Sequence, residues 1–313
     1  MVFFLFRSSA KSVPTLARPD RRSVPTKVRL NAVVALALAT LISPLSLWAQ
    51  ESESMADRAL NQLVERQKEL LADASKGDPH FDESNFQMQI EQVCRGYEEL
   101  LRANPKLAQG YAAYGYLLSK VGQRKESIAM LLKANQLDPD QPLVKNQIGN
   151  YLAEEGKPLD ALPYYMSAIK LAPKEPLYHY QLGTLLYEAR DDFLKAGEWK
   201  KDAIDRAIHE AFRQAAELAP ERIEFTYRYA ESFYDLETPD WDAALKEWST
   251  LELKAPTAIE RETMRLHAAN IRIKQGKRDE ARAILNTVTE PVLLKQKEKL
   301  VAQLEPAPAG ESK

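Results

Sequence analysis

The sequence predicts an all-α protein, a solenoid of stacked helix–turn–helix repeats closed by a C-terminal helix, on three observations. Six prolines, Pro105, Pro139, Pro173, Pro220, Pro256 and Pro291, stand 34, 34, 47, 36 and 35 residues apart. A period near 34 with helical patterning inside it marks a repeat architecture. Apolar residues between the prolines recur at helical spacing, with no run of strict apolar–polar alternation. Only 11 of 313 residues are glycine, few for a sheet with its tight turns. A repeat array also suspends the reading of length as domain count, because each repeat packs mainly on its neighbours.

The first fifty residues read as an address. Seven basic side chains (Arg7, Lys11, Arg18, Arg21, Arg22, Lys27, Arg29) and the single acid Asp20 precede or flank an apolar run from Ala32 to Ile42. Ser43, Pro44 and a segment ending Trp48-Ala49-Gln50 follow. A basic start, an apolar centre, a helix breaker and a small residue at the cut site match a secretory signal over residues 1–49, cleaved after Ala49. The rival reading keeps residues 32–49 as a membrane anchor, since 18 residues are just enough to span. No Cys follows the apolar run, so there is no lipid-attachment box. Export to a periplasmic or secreted location, or anchorage facing the periplasm, follows from these two readings.

Removing the address leaves 36 basic and 44 acidic residues, a net charge of −8, in residues 51–313. An acidic body argues against nucleic acid, whose phosphates require clustered Lys and Arg. The single cysteine, Cys94, makes a disulfide framework impossible and reads as a small apolar residue inside a helix.

Taken in order, residues 50–74 hold one amphipathic helix, with Leu60, Leu63, Val64, Leu70 and Leu71 on its apolar side. A degenerate repeat closed by Pro105 follows, its second helix Ser84–Ala103 carrying Tyr97 and Leu100. Residues 108–141 show Tyr111, Tyr114-Gly115, Leu118, Gly122, Ser127, Leu131, Ala134 and Pro139. Residues 142–175 repeat that register without a gap: Ile148-Gly149, Leu152, Gly156, Ala161, Tyr165, Ala168 and Pro173. Small residues at the eighth and twentieth places let two helices approach, bulky residues fill between them, and Gly122 and Gly156 turn the chain. Each proline ends a unit because it cannot continue a helix.

These two blocks resemble the tetratricopeptide repeat, in which an aromatic, Leu-Gly, Tyr, Ala, Phe, Ala and Pro fall at these offsets. The resemblance implies a right-handed α-solenoid over residues 75–291. A third unit, 176–222, is 13 residues too long, the excess lying around Arg190–Asp202. A fourth covers about 223–258. A fifth, about 259–291, is divergent, with Arg272 where a buried aromatic is expected. Residues 292–305 read as a capping helix and 306–313 as a small, polar, disordered tail.

Members of this family are protein-binding scaffolds whose first helices (A) line a groove for an extended peptide or partner helix. The resemblance therefore implies a non-catalytic adaptor. Its register places Tyr116, Asn146, Asn150, Tyr180, Tyr187, Tyr227, Glu231 and Tyr234 in the groove. Asn146 and Asn150 lie one turn apart, each able to bond a peptide backbone as donor and acceptor. Glu154, Glu188, Glu231 and Asp235 would favour a protein or peptide ligand carrying basic residues. The carboxylate clamp of related chaperone-tail binders is absent, since Ala112, Tyr116 and Gln181 occupy its places. A membrane-anchored assembly factor is the alternative function. Phe193 and Trp199 in the excess segment read either as an anchor for a partner or, more simply, as part of a lengthened second helix.

Nothing in the motifs supports catalysis, a metal or a cofactor. His80, His179, His209 and His267 have no ligand spacing. His209-Glu210 opens like a zinc-protease motif, but Arg213 stands where its second histidine must be. An enzyme with its site at residues 190–202 is the least favoured reading.

Overall fold

The computed structural model describes residues 54–76, 81–197 and 199–305. The expected signal over 1–49, His80 and the tail 306–313 lie outside them. Among the described residues all regular structure is helical, and the fold is an all-α repeat solenoid. The chain divides into two compact units, split between Thr238 and Pro239.

The first unit contains α1 (Met55–Ser75), α2 (Glu83–Ala103), α3 (Ala108–Lys120), α4 (Arg124–Leu137), α5 (Pro142–Glu154), α6 (Pro158–Leu171), α7 (Pro176–Glu188), α8 (Arg190–Ala196), α9 (Lys201–Leu218) and α10 (Ile223–Ser232). The second contains α11 (Trp241–Lys254), α12 (Ala258–Lys274), α13 (Arg278–Asn286) and α14 (Leu294–Ala302). The prolines behave as the repeat pattern demands: Pro105, Pro139, Pro173, Pro220 and Pro256 each stand two residues beyond a helix end.

In the first unit α3 pairs with α4, α5 with α6 and α7 with α9. Gly122 and Gly156 turn the first two hairpins at φ of +82° and +73°, a conformation other residues adopt only under strain. Close approach rests on the eighth place. A Cβ on Gly115 would fall 2.9 Å from Leu131 Cγ, and one on Gly183 would fall 2.8 Å from Phe212 Cε1. Ser127 sits opposite Gly115 and donates to its carbonyl at 2.8 Å, so the small residue of α4 also satisfies its own hydroxyl. Tyr97 carries the packing back to α1: its ring stacks on Tyr114 at 5.2 Å and its hydroxyl donates to buried Gln67 at 2.8 Å.

The excess residues of the third repeat do two things. They form a separate helix, α8, ended by Gly197 at φ +79°. They also make α9 18 residues long against 14 for α4 and α6, so the lengthened second helix accounts for only one extra turn. Phe193 is fully buried among Leu185, Leu186, Ile204 and Ile208, and meets Trp199 edge-on at 6.3 Å. Burial removes Phe193 as an exposed anchor. The segment is instead tied down by Arg190, which bridges buried Asp205 at 3.1 Å and Asp235 at 3.0 Å.

In the second unit Asp240 caps α11 by accepting from the backbone of Asp242 and Ala243, and Thr257 with Glu260 forms a capping box on α12. The Glu262 carboxylate accepts three bonds from the turn before α14: Thr289 N at 2.7 Å, Glu290 N at 2.7 Å and Thr289 Oγ1 at 2.9 Å. The closing helix starts later than expected, because Pro291–Leu293 forms a 3-10 turn first. Its Leu300 joins Leu266, Leu285 and Leu293 in the core of this unit.

Candidate functional site: the first-helix face

Helices α3, α5, α7 and α10 are the first helices of four successive repeats and carry all eight residues read as groove-lining, save that Tyr234 lies in a short 3-10 extension of α10. Two of the eight are buried outright. Tyr116 on α3 is 1% exposed and Asn146 on α5 is fully enclosed. Neither the Tyr116 hydroxyl nor either amide atom of Asn146 has a hydrogen-bond partner, and the same holds for Gln181 Oε1 on α7. Burial pushes the Tyr116 phenol up to about 12, so it is neutral and keeps its donor. The Lys120 ammonium lies 5.1 Å from the Tyr116 ring. Burial lowers its pKa, and the charge of Glu154 opposes that shift.

The remaining candidates are half-buried and engaged within the fold. Asn150 Oδ1 accepts the Tyr165 hydroxyl at 2.7 Å, which leaves its amide donors as its recognition edge. Tyr180, half-buried, packs on Phe225 at 4.6 Å and on Phe212 at 5.8 Å. The Tyr187 ring is flanked by two guanidinium groups, Arg228 at 4.3 Å and Arg190 at 5.4 Å. Arg228 also holds Glu231 at 2.8 Å. Tyr227 and Tyr234 stand beside this pair, half-buried.

Ion pairing within the chain occupies part of the acidic charge on this face. Three of the four acids that suggested a basic ligand contact arginines of the same chain: Glu154 shares Arg124 with Glu155, at 3.2 and 3.0 Å, Glu231 pairs with Arg228, and Asp235 shares Arg190 with Asp205. Sequence reasoning missed Arg190 and Arg228. Arg228 falls outside the five groove places of the repeat, and Arg190 belongs to the excess segment.

Two other groups, His209 and Cys94, belong to residue types that can carry chemistry. His209 Nδ1 lies 2.8 Å from Ser232 Oγ, but that hydroxyl donates to Tyr229 O at 2.6 Å. With the serine proton so used, the imidazole donates rather than accepts, and the pair joins α9 to α10 instead of activating a nucleophile. The Cys94 thiol is half-buried, and burial pushes its pKa up, away from thiolate reactivity. Among the described residues no group of three or more His, Cys, Asp or Glu could hold a metal ion, and no helix is long and apolar enough to cross a membrane.

Comparison with known proteins gives the class that this fold defines. Residues 108–141 match the tetratricopeptide repeat family model. Among solved structures, the chain is similar to YrrB, described as a tetratricopeptide protein with an unusual peptide-binding site, at 16% identity over 65% of this chain and 91% of that one, with a TM-score of 0.51. It is similar to PilF of Pseudomonas aeruginosa at 14% identity, over 80% of this chain and all of that one, TM-score 0.54. A structure of Naa15/Naa10 bound to HypK shows the same kind of stack at 14% identity, over 80% of this chain but 34% of that one, TM-score 0.51. The structural likeness, at identities this low, shows a shared fold alone. No curated protein matches the chain in sequence.

Proposed function

We propose that this protein is an exported, non-catalytic adaptor whose first-helix face takes an extended segment of a partner protein. One observation carries the reading: half-buried Asn150 has its Oδ1 taken by the Tyr165 hydroxyl and its amide donors left for a ligand, and on the same series of first helices Tyr116, Asn146 and Gln181 hold enclosed polar atoms with no partner in the fold. Such groups cost about 1–3 kcal/mol each when left unmet, and a peptide backbone supplies donors and acceptors in alternation along its length. The YrrB fold carries a peptide-binding site by its description, which adds weight. With three of its acids already paired, this face is suited to backbone and carbonyl groups rather than to basic side chains. Export rests on residues 1–49 alone; retention of 32–49 would make the protein an anchored assembly factor instead.

A photoreactive amino acid placed at Ser119 or Asn150, on the first-helix face, should capture a partner in cells. The same probe at Leu132, exposed on the second helix of the same repeat, should not. Asn146→Leu should weaken capture from both positions. Equal capture from Leu132, or indifference to Asn146→Leu, would sink the proposal. Amino-terminal sequencing of the mature protein tests the address: a start at Gln50 removes the anchor.

A further inference from the structure

The thirteenth places of the four first helices α3, α5, α7 and α10, the last in its 3-10 extension, carry Lys120, Glu154, Glu188 and Asp235. Arginines of the chain hold most of the acids on this face: Arg124 holds Glu154, Arg190 holds Asp235, Arg222 holds Glu224 and Arg228 holds Glu231. Lys120 is the exception. Among the described residues none forms a hydrogen bond or an ion pair with its ammonium, and its recorded contact is the Tyr116 ring at 5.1 Å.

The last turn of a helix favours a cation, and Lys120 stands in the last turn of α3. That field satisfies none of the three N–H donors of an ammonium. The side chain is nonetheless largely withdrawn from water, which lowers its pKa, and the charge of Glu154 opposes the shift without pairing. Glu154 is turned instead to Arg124, which it shares with Glu155. A second set of open donors lies in the same neighbourhood. Asn150 precedes Glu154 by one turn on α5, and its Oδ1 is taken by the Tyr165 hydroxyl. Burial raises the Tyr165 pKa, and the charges of Glu154 and Glu188 raise it further. Lys120 and the Asn150–Tyr165 pair thus both lie within reach of the Glu154 charge.

Taking the first-helix face as the partner site, we infer that its α3 end receives an acidic side chain of the bound segment, the carboxylate held by the Lys120 ammonium and the Asn150 amide, a refinement that rests on the adaptor reading. A carboxylate only accepts and so matches two donors that lack acceptors. Its bond to the ammonium is charge-assisted and stronger than the bond a backbone carbonyl would make. The lysine is already desolvated in the unbound protein, so binding need not strip its water again. Glu154 is the group that works against the ligand, having the same sign of charge.

Random seven-residue peptides displayed on phage, selected on the full chain and on its Lys120→Met and Asn146→Leu variants, test the assignment. Asp and Glu should be enriched on the unsubstituted chain and not on Lys120→Met. A synthetic copy of a selected acidic peptide should bind Lys120→Met about tenfold more weakly, as loss of a charged hydrogen bond requires. Changing its acid to the amide should cost as much on the unsubstituted chain and little more on Lys120→Met, because the two changes remove one shared contact. Glu154→Gln should tighten the acidic peptide. Methionine keeps an apolar stem over the Tyr116 ring and removes a buried charge, so the melting temperature of Lys120→Met should not fall. Enrichment of Lys and Arg, acidic enrichment that survives in Lys120→Met, or weaker binding by Glu154→Gln would overturn the inference. Peptides lost on Asn146→Leu but without an acidic preference would leave the adaptor reading standing and this assignment refuted. Failure to select any peptide would refute both.

Discussion

The indole of Trp248 lies flat on the imidazole of His267, with ring centroids 3.8 Å apart and planes inclined by 3°. Both are buried, and burial pushes the His267 pKa down to about 3. The native state therefore refuses a proton that the unfolded chain accepts near its ordinary value of about 6.5. Stability should be full above about pH 6.5 and fall as the pH drops, by up to about 1.4 kcal/mol per pH unit. Burial works against the Glu262 carboxylate, but its three hydrogen bonds hold its pKa below the ordinary value, so its contribution is lost only at more acid pH. Denaturant unfolding at pH 7 and pH 5 reads the difference. His267→Phe, which keeps a flat ring on the indole, should reduce the slope between those pH values, leaving the smaller part due to His209, whose pKa burial also lowers; a slope unchanged in the variant refutes the assignment.

Arg190→Ala should destabilise the first unit by about 3 kcal/mol, because it withdraws a partner from a buried carboxylate. Asp205 is 2% exposed and would keep only the exposed Lys201, at 2.6 Å. The loss should shrink when the same change is made on an Asp205→Asn background, where no buried charge is stranded. Equal losses on both backgrounds would show that Arg190 acts through packing alone.

Gly183→Ala and Gly149→Ala should differ although both sit at the eighth place of a first helix. The added methyl would lie 2.8 Å from the rigid ring of Phe212 at Gly183, but 3.4 Å from Tyr165 at Gly149. The first should cost about 1–3 kcal/mol through overpacking. At Gly149 the better helix propensity of alanine, up to about 1 kcal/mol, offsets the tighter contact. Melting temperatures of the two variants give the comparison directly.

Tyr116→Phe should stabilise the free protein and weaken its partner binding. The change removes a buried hydroxyl that no group in the fold meets, a gain of about 1 kcal/mol if its burial is uncompensated. A higher melting temperature together with lower capture by the first-helix face is the expected pair. A lower melting temperature would show that the hydroxyl is already satisfied within the native protein.

The repeat register was legible because it rests on local rules: Gly122 and Gly156 turn the chain, each proline stops a helix, and small residues at fixed places allow close approach. The first-helix face was legible as a set of positions but not as chemistry. Tyr180 and Tyr187 carry the right register, yet one is absorbed by Phe212 and Phe225 and the other by two arginines. Pairing of Glu231 with Arg228 or Asp235 with Arg190 depends on which rotamers meet in space, and no spacing rule expresses that. The division of Arg190–Asp202 into a helix, a left-handed Gly197 and one added turn likewise came from packing, since Phe193 had to reach the core.

A stack of repeats ordinarily frays from its ends, each unit held only by the one beside it. Arg190 strengthens one such junction. It holds Asp205 on α9 of its own repeat and also grips Asp235 at the end of the fourth repeat's first helix. The stretch from α8 to the end of α10 is thereby cross-stitched, so it should exchange its amide protons as a single cooperative block, and loss of structure spreading from α1 should halt at its border.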